Sequence, residues 1–402
     1  MFIVHKKETV DDKNASLRSI LKQVINENEI PVSSLADQLN INRRMFEKYL
    51  SEGGDLKFSQ AISIMQFLNM EESDFIRAYK NDMTDEDDSS ERSKRLAFLY
   101  KHFDIPTLKD VGVIKKRAKI DEIEDQLCAF LGLQQSIYEY EMFAVLPTLF
   151  SKSKRLIAEE KATKMTSFWL KCAIQTFKVI NNPYEYNREL LIEFVKRIHE
   201  YTEDQIHGYE KVILILYRIG VTVLTQPYIS KTGSFGVTML MDNKPCIVIT
   251  DMKKKYHKLW MSLIHELYHV INDYNMLQSS YHISAGDEQD ILFNEEKADL
   301  FALNVLIPEE IRIRLSSIVR FPIKVRMLAS QIAVDPSIIY GIYLESLPKE
   351  QQINEFKKYG GQNCLFSSDI AIRNVQFDPI GYQNLNKAIE YIRNNLYNKQ
   401  II

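Results

Sequence analysis

The sequence lacks the features of a membrane-spanning or secreted protein. Hydrophobic residues make up 45% of its 402 residues, yet they form no run near the ~18 residues that a spanning helix needs. The opening Met-Phe-Ile-Val-His-Lys-Lys-Glu does not resemble a signal peptide. Cysteine is scarce and without Cys-x-x-Cys spacing, occurring at Cys128, Cys172, Cys246 and Cys364. We therefore expect a cytoplasmic protein with reduced, buried thiols and no membrane partner.

The sequence also has no large excess of positively or negatively charged residues. Lys and Arg number 51 against 54 Asp and Glu, for a formal net charge of −3, so the chain is neither a polycation nor a disordered polyanion. Its length exceeds that of one ordinary core, and we expect more than one domain. A polar, acidic stretch at 81–94 predicts a linker.

Histidine is scarce as well, with eight in the chain, but two of them lie four residues apart in His265-Glu266-Leu267-Tyr268-His269. Residues at this spacing share one face of an α-helix, so both imidazoles can bind a single Zn²⁺. Glu266 lies beside the first histidine, where it can reach a zinc-bound water instead of the metal. The apolar flanks contain no Gly or Pro and favour a helix.

A third ligand is needed, because a catalytic zinc usually has three protein ligands and one open position. The segment 294–308 has apolar residues at helical spacing and ends at Pro308. Glu295 and Asp299 share a face, so Glu295 can be the third ligand. Asp299 can then accept a hydrogen bond from the far nitrogen of a ligand histidine. The next candidate ligand is Glu296, although it is rotated about 100° away from that face.

These motifs resemble the ImmA/IrrE family of zinc metallopeptidases, over roughly residues 205–345. The resemblance rests on the H-E-x-x-H helix, on the strand at 245–250 that precedes it, and on the pattern E-x-x-A-D-x-F-A that begins at Glu295. Two positions depart from the family, which commonly has Gly in place of Tyr268 and Glu in place of Lys297.

The resemblance implies a zincin-like catalytic domain in which zinc is bound by His265, His269 and Glu295, with Glu266 as the catalytic base. The expected reaction is hydrolysis of a protein substrate, a helix-turn-helix transcriptional repressor by analogy with the family. The alternative is a DNA-binding or toxin–antitoxin-type regulator in which the zinc domain is structural or sensory.

Residues 15–79 predict a compact set of short helices. Within them, a short helix at 33–39, a turn and a second helix at 43–50 resemble the phage-repressor-like (XRE) DNA-binding domains. By that analogy, residues of the second helix and its start would contact DNA, namely Asn42, Arg43, Arg44 and Lys48. Residues 15–80 carry eight Lys and Arg against nine Asp and Glu, which lacks the basic footprint of a DNA binder. A homodimer, or a protein-docking role, would resolve this conflict.

The expected fold is α+β and mainly helical. Its predicted parts are a helix-turn-helix bundle at 1–80, the acidic linker at 81–94, a helical domain at 95–204, the zinc metallopeptidase domain at 205–345 and a C-terminal extension at 346–402. The helical domain at 95–204 contains isolated histidines to which we assign no chemistry. A further helix-turn-helix-like element is expected at 325–340.

Strand composition at 221–224, 237–241 and 246–249 predicts a small antiparallel sheet, with residues 233–236 separating two of the strands. We expect an edge of this sheet to lie along the zinc cleft, where an extended peptide can add as another strand. In the loop between the metal helices, Tyr281 and His282 are candidates for stabilising the oxyanion.

Overall fold

The computed structural model describes residues 15–53, 56–82, 87–144, 164–229, 232, 234–278, 282–285, 294–359 and 364–398. This part of the chain is mainly helical with one small sheet, which confirms the predicted class. The chain divides into two compact units, unit 1 at Met1–Ala97 and unit 2 at Phe98–Ile402.

Unit 1 has a hydrophobic core of its own, formed by short helices. Their bounds are α1 Leu17–Glu27, α2 Val32–Gln38, α3 Arg43–Glu52, α4 Phe58–Leu68 and α5 Glu72–Asp82. The α3 helix begins after Asn42, whose side chain accepts a hydrogen bond from the backbone N–H of Arg44 at 3.1 Å. The order of a short helix, a turn and a second helix is therefore as predicted.

The last residue of α5 is hydrogen-bonded to residues of α1 and α3. The carboxylate of Asp82 accepts hydrogen bonds from the backbone N–H of Arg18, at 2.9 Å to Oδ2, and from the hydroxyl of Tyr49. A further helix, α6, spans Asp87–His102, so most of the segment that we expected to be a linker is helical. Glu91 and Arg95 are one turn apart on α6 and form an exposed ion pair at 3.6 Å, which stabilises the helix. Residues 83–86 lie outside the described part.

Unit 2 opens with helices that precede the sheet. Their bounds are α7 Ile105–Asp110, α8 Ile120–Leu131, α9 Glu139–Met142, α10 Lys164–Ile180, α11 Arg188–Val195, a 3-10 helix at Ile198–Glu203 and α12 Gly208–Arg218. Gly220 then adopts φ +92, a left-handed conformation that favours glycine and turns the chain from α12 into the first strand.

Four strands among the described residues form one sheet, β1 Thr222–Gln226, β2 Ser234–Met241, β3 Lys244–Thr250 and β4 His282–Ala285, in the order β1-β3-β2-β4. The prediction of a purely antiparallel sheet is wrong, because β1 pairs with β3 in parallel. Asp242 and Asn243, both with positive φ, form the tight turn that makes β2 and β3 an antiparallel hairpin. The β3 strand lies between β1 and β2. Because β3 runs antiparallel to β2 and in the same direction as β1, its pairing with β1 is parallel. Residues 234–236 belong to β2, whereas we expected them to separate two strands.

Helix α13, Tyr256–Asn272, contacts β2 and β3, and it also packs against the later helix α15, Glu295–Leu306. A short helix, α14, follows α13 at Tyr274–Leu277. The buried side chains of Trp260, Leu263 and Leu267 fix α13 within the core.

The remaining helices are α16 Glu309–Arg312, α17 Leu315–Ile318, α18 Pro322–Gln331, α19 Pro336–Ser346, α20 Lys349–Tyr359, α21 Asp369–Ile372 and α22 Leu385–Ile392, followed by a π-helical turn at Arg393–Tyr397. The α18 and α19 helices meet at 109°, an angle typical of a helix-turn-helix, as expected for 325–340. Within the described residues, no single helix is both long and apolar enough to cross a membrane, and only the bent α18–α19 pair reaches the required length and composition.

The C-terminal segment is part of the core of unit 2. The hydroxyl of Tyr397 donates to the carbonyl of Val223, and the backbone N–H of Phe377 donates to the carbonyl of Thr225 at 2.7 Å. Both contacts lie on β1, the outermost strand on that side among the described strands. Unit 2, Phe98–Ile402, has one hydrophobic core, to which residues of the predicted parts at 95–204, 205–345 and 346–402 all contribute.

Candidate metal centre

The two histidines of the H-E-x-x-H motif lie on α13 as predicted. His265 and His269 project from one face of the helix, and their Nε2 atoms are 3.3 Å apart. Both side chains are buried, His269 completely. Two ring nitrogens this close together can face a single cation.

The third group comes from the first residue of α15. Asn294 caps this helix by accepting a hydrogen bond from the backbone N–H of Lys297 at 2.9 Å, and the buried Ala298 and Ala302 hold it in place. Glu295 Oε2 is then 3.3 Å from His265 Nε2, and its Oε1 is 3.5 Å from His269 Nε2.

His265, His269 and Glu295 thus form a group that can bind a metal ion. A tetrahedral ion with bonds of about 2.0–2.2 Å separates neighbouring ligand atoms by about 3.3–3.6 Å. The two Nε2 atoms are 3.3 Å apart, and each lies at a similar distance from one oxygen of the Glu295 carboxylate, 3.3 Å from His265 to Oε2 and 3.5 Å from His269 to Oε1. The residues present therefore fit a small divalent cation such as zinc, with one position left for another ligand. The alternative ligand, Glu296, has an exposed side chain.

A carboxylate contacts the far nitrogen of each histidine. Asp299 Oδ1 lies 2.8 Å from His265 Nδ1, which is the role that the sequence predicts for it. Asp273 Oδ2 lies 2.7 Å from His269 Nδ1. When Nδ1 donates to a carboxylate, the lone pair of Nε2 is available to a metal, and the ring is held in orientation. Asp273 was not predicted from the sequence, although its position one turn after His269 is a usable signal.

The electrostatics of the site favour a cation. Burial lowers the pKa of His265, but its hydrogen bonds with Asp299 and Glu295 outweigh burial and raise the pKa to about 10. In the absence of a metal, a proton on His265 supplies the positive charge that these carboxylates stabilise.

Glu266 lies against β2. Its side chain is 1% exposed, and its Oε2 accepts a hydrogen bond from the hydroxyl of Thr238 at 2.5 Å. A Cβ atom added at Gly236 would be 2.3 Å from Glu266 Oε1, so only glycine leaves room for the carboxylate in this position. Neither contact was predicted, because both depend on how β2 packs against α13.

The two candidates for oxyanion stabilisation stay untested. Tyr281 lies outside the described residues. His282 begins β4, where its backbone position pairs with Thr238, and nothing is described of its side chain.

The four candidate DNA contacts lie at the start of α3 and along it, and all four are exposed. Two of them also have local roles. Asn42 is the N-cap of α3, and Arg43 pairs with Glu47 at a distance of 2.8 Å. Arg44 and Lys48 are exposed one turn apart on this helix.

Comparison with known proteins adds no relative, because the chain matches no family model, no curated protein and no solved structure. The resemblance to ImmA/IrrE peptidases stays a prediction from the sequence motifs, and the metal centre is supported by its own geometry.

Proposed function

We propose that the chain is a zinc-dependent endopeptidase. The observation that carries this proposal is the convergence of His265, His269 and Glu295 beside Glu266. Structural zinc sites are usually closed by four Cys and His ligands, whereas two histidines and a glutamate with an open position are typical of catalytic zinc.

Each side chain around the site has a role in this reaction. A zinc ion held there would polarise the scissile carbonyl and lower the pKa of water toward neutrality. Glu266 accepts the proton of the attacking water and delivers it to the leaving amine. Thr238 orients the Glu266 carboxylate through its hydrogen bond. Asp273 and Asp299 orient the two imidazoles.

The substrate we propose is a protein, and the resemblance to ImmA/IrrE peptidases suggests a helix-turn-helix repressor. The geometry supports binding of an extended peptide next to β4, which is the outermost strand on its side among the described strands. A peptide segment can pair with the backbone of such an edge.

The test is to incubate the zinc-loaded protein with peptides from a whole-cell digest and to map new termini by mass spectrometry. We expect new termini that disappear after chelation and return when zinc is restored. An unchanged set of termini in every condition, together with a failure to shorten a co-expressed helix-turn-helix repressor, would overturn the proposal.

For unit 1 we propose that α3 docks on DNA, with Arg44 and Lys48 as contacts. The helix-turn-helix order and their exposure support this role. Mobility-shift titrations of the full chain on DNA from its own promoter should show salt-dependent binding, weakened by ~1–3 kcal/mol in Arg44→Ala if that side chain reads a base. Equal binding by the wild type and a variant lacking both cations would argue for a protein-docking role.

A further inference from the structure

The segment 311–334 of unit 2, which supplies no residue to the metal centre, carries charge of one sign only. It contains Arg312, Arg314, Arg320, Lys324 and Arg326 and no Asp or Glu. The acidic residues Glu309, Glu310 and Asp335 lie just outside it. In a chain with a net charge of −3, this segment is a local concentration of positive charge.

Several large apolar side chains of the same segment are exposed. Ile313 is 72% exposed, Ile323 70%, Met327 68% and Phe321 51%. Helix α18 is therefore apolar on two faces, since Val325 and Ala329 on its inner face are buried in the core. Packing against the core accounts for the apolar side chains on the inner face, but it does not account for those on the outer face.

The outer face of α18 has an ordered arrangement. Ile323 and Met327 are four residues apart and form a ridge along the exposed side. Lys324 is rotated about 100° to one side of Ile323, and Arg326 lies about 60° to the other side. A ridge of apolar side chains is thus bordered by a cation on each flank, with Phe321 at its beginning.

We propose that this basic ridge, formed by Phe321, Ile323, Lys324, Arg326 and Met327, binds the surface of a membrane that contains anionic lipid. Apolar side chains would enter the boundary between headgroups and acyl chains, while Lys324 and Arg326 contact lipid phosphates and carboxylates. A nucleic acid would use the cations but would leave Ile323 and Met327 facing phosphate. A docked peptide helix needs a groove, whereas side chains that are about 70% exposed form a protrusion.

The contact lies on the membrane surface and does not span it. The partner helix α19 has the buried residues Ile338, Ile339 and Leu344, and it turns away from α18 by 109°. Our expectation of no membrane partner was based on the lack of a spanning run, which does not bear on an interfacial helix.

The experiment is co-sedimentation of the full chain with phosphatidylcholine vesicles, with and without phosphatidylserine, at two salt concentrations. We expect binding only when phosphatidylserine is present, and weaker binding at high salt. Lys324→Glu with Arg326→Glu should weaken binding at least ~25-fold, since each cation near an anionic surface contributes about fivefold. Ile323→Ser with Met327→Ser should also reduce binding while leaving the melting temperature unchanged.

Leu190 supplies the matched control, because it is 56% exposed on a different helix, α11. Leu190→Ser should bind vesicles as the wild type does. Binding that is equal for the wild type and the ridge variants would overturn the proposal, as would no response to phosphatidylserine. A ridge variant that changes only the oligomeric state would assign the surface to a second copy of the chain, and one that changes only DNA binding would assign it to nucleic acid.

Discussion

Asp273 Oδ2 lies 2.7 Å from His269 Nδ1, one helical turn after the histidine that it contacts. This contact pairs with the one between Asp299 and His265, but the two carboxylates differ in exposure. The side chain of Asp273 is 15% exposed and that of Asp299 66%. The hydrogen bond of Asp273 is therefore less screened by solvent.

We predict that Asp273→Ala weakens zinc affinity by ~10–100-fold, the usual scale for losing such a supporting carboxylate. The effect should be at least as large as that of Asp299→Ala, because Asp273 is the more buried of the two. Competition with a fluorescent chelator measures both affinities. The neighbouring variant Asn272→Ala is the control and should bind zinc as the wild type does. A larger loss in Asn272→Ala than in Asp273→Ala would contradict this assignment.

The second prediction concerns the ligands. The variants His265→Ala, His269→Ala and Glu295→Ala should each lose zinc, because two remaining protein ligands make a poor site. Elemental analysis should find close to one zinc per wild-type chain and much less in each variant. Glu296→Ala offers a matched control on the same turn of α15 and should keep its zinc. If Glu295→Ala keeps its full zinc content and Glu296→Ala loses zinc, then Glu296 is the third ligand and Glu295 is not.

The third prediction concerns protons. His265 has a pKa of about 10 in the metal-free protein, whereas a zinc ligand must be a neutral imidazole. Because this pKa is raised by folding, the stability that the protonated ring contributes is present below the unfolded pKa of about 6.5 and lost as pH rises through about 10. Zinc affinity should therefore increase with pH in that window, by up to about tenfold per pH unit.

Calorimetry in two buffers of different ionisation enthalpy checks this prediction. Near pH 7.5 we expect release of about one proton for each zinc bound. Zinc binding without proton release, and with an affinity that does not depend on pH, would show that His265 is already neutral in the metal-free protein.

The fourth prediction tests the contact between β2 and Glu266. Gly236→Ala places a Cβ where the Glu266 carboxylate lies, 2.3 Å from Oε1. The carboxylate must move, so peptide cleavage should fall toward the ~10²–10⁴-fold loss expected when general acid–base catalysis is removed. Zinc content should stay near one per chain. Loss of zinc in parallel with activity would instead indicate damage to the ligand helices.

The neighbouring hydroxyl supplies a matched pair of variants for the same contact. Thr238→Val keeps the shape but removes the donor to Glu266, and Thr238→Ser keeps the donor. Activity should fall in the first variant and be largely retained in the second. If the two variants behave alike, the hydrogen bond has no part in orienting Glu266.

Much of the site could be predicted from the sequence because its signals are local. Helical spacing alone places His265 and His269 on one face, and it distinguishes Glu295 from Glu296. Asp273 obeys the same spacing rule and could have been predicted by applying the rule once more beyond His269.

The features that were not predicted depend on contacts between distant segments. Gly236 was expected between two strands, because nothing near it in the chain shows that the Glu266 carboxylate lies against it. The parallel pairing of β1 and β3 results from the insertion of a hairpin strand. The docking of the C-terminal segment on β1, through Phe377 and Tyr397, is equally non-local. Such contacts are determined by packing of the whole unit.

The central claim is that Glu266 is the base of a zinc peptidase, and Glu266→Gln tests it most directly. This change preserves size but removes the proton acceptor, so zinc content and melting temperature should stay near those of the wild type. With both proteins loaded to the same zinc content, we predict that the rate at which new peptide termini appear falls by at least ~10²-fold in Glu266→Gln. Equal rates of cleavage, or equal biological activity of the two proteins, would contradict the claim and leave the metal as a structural element.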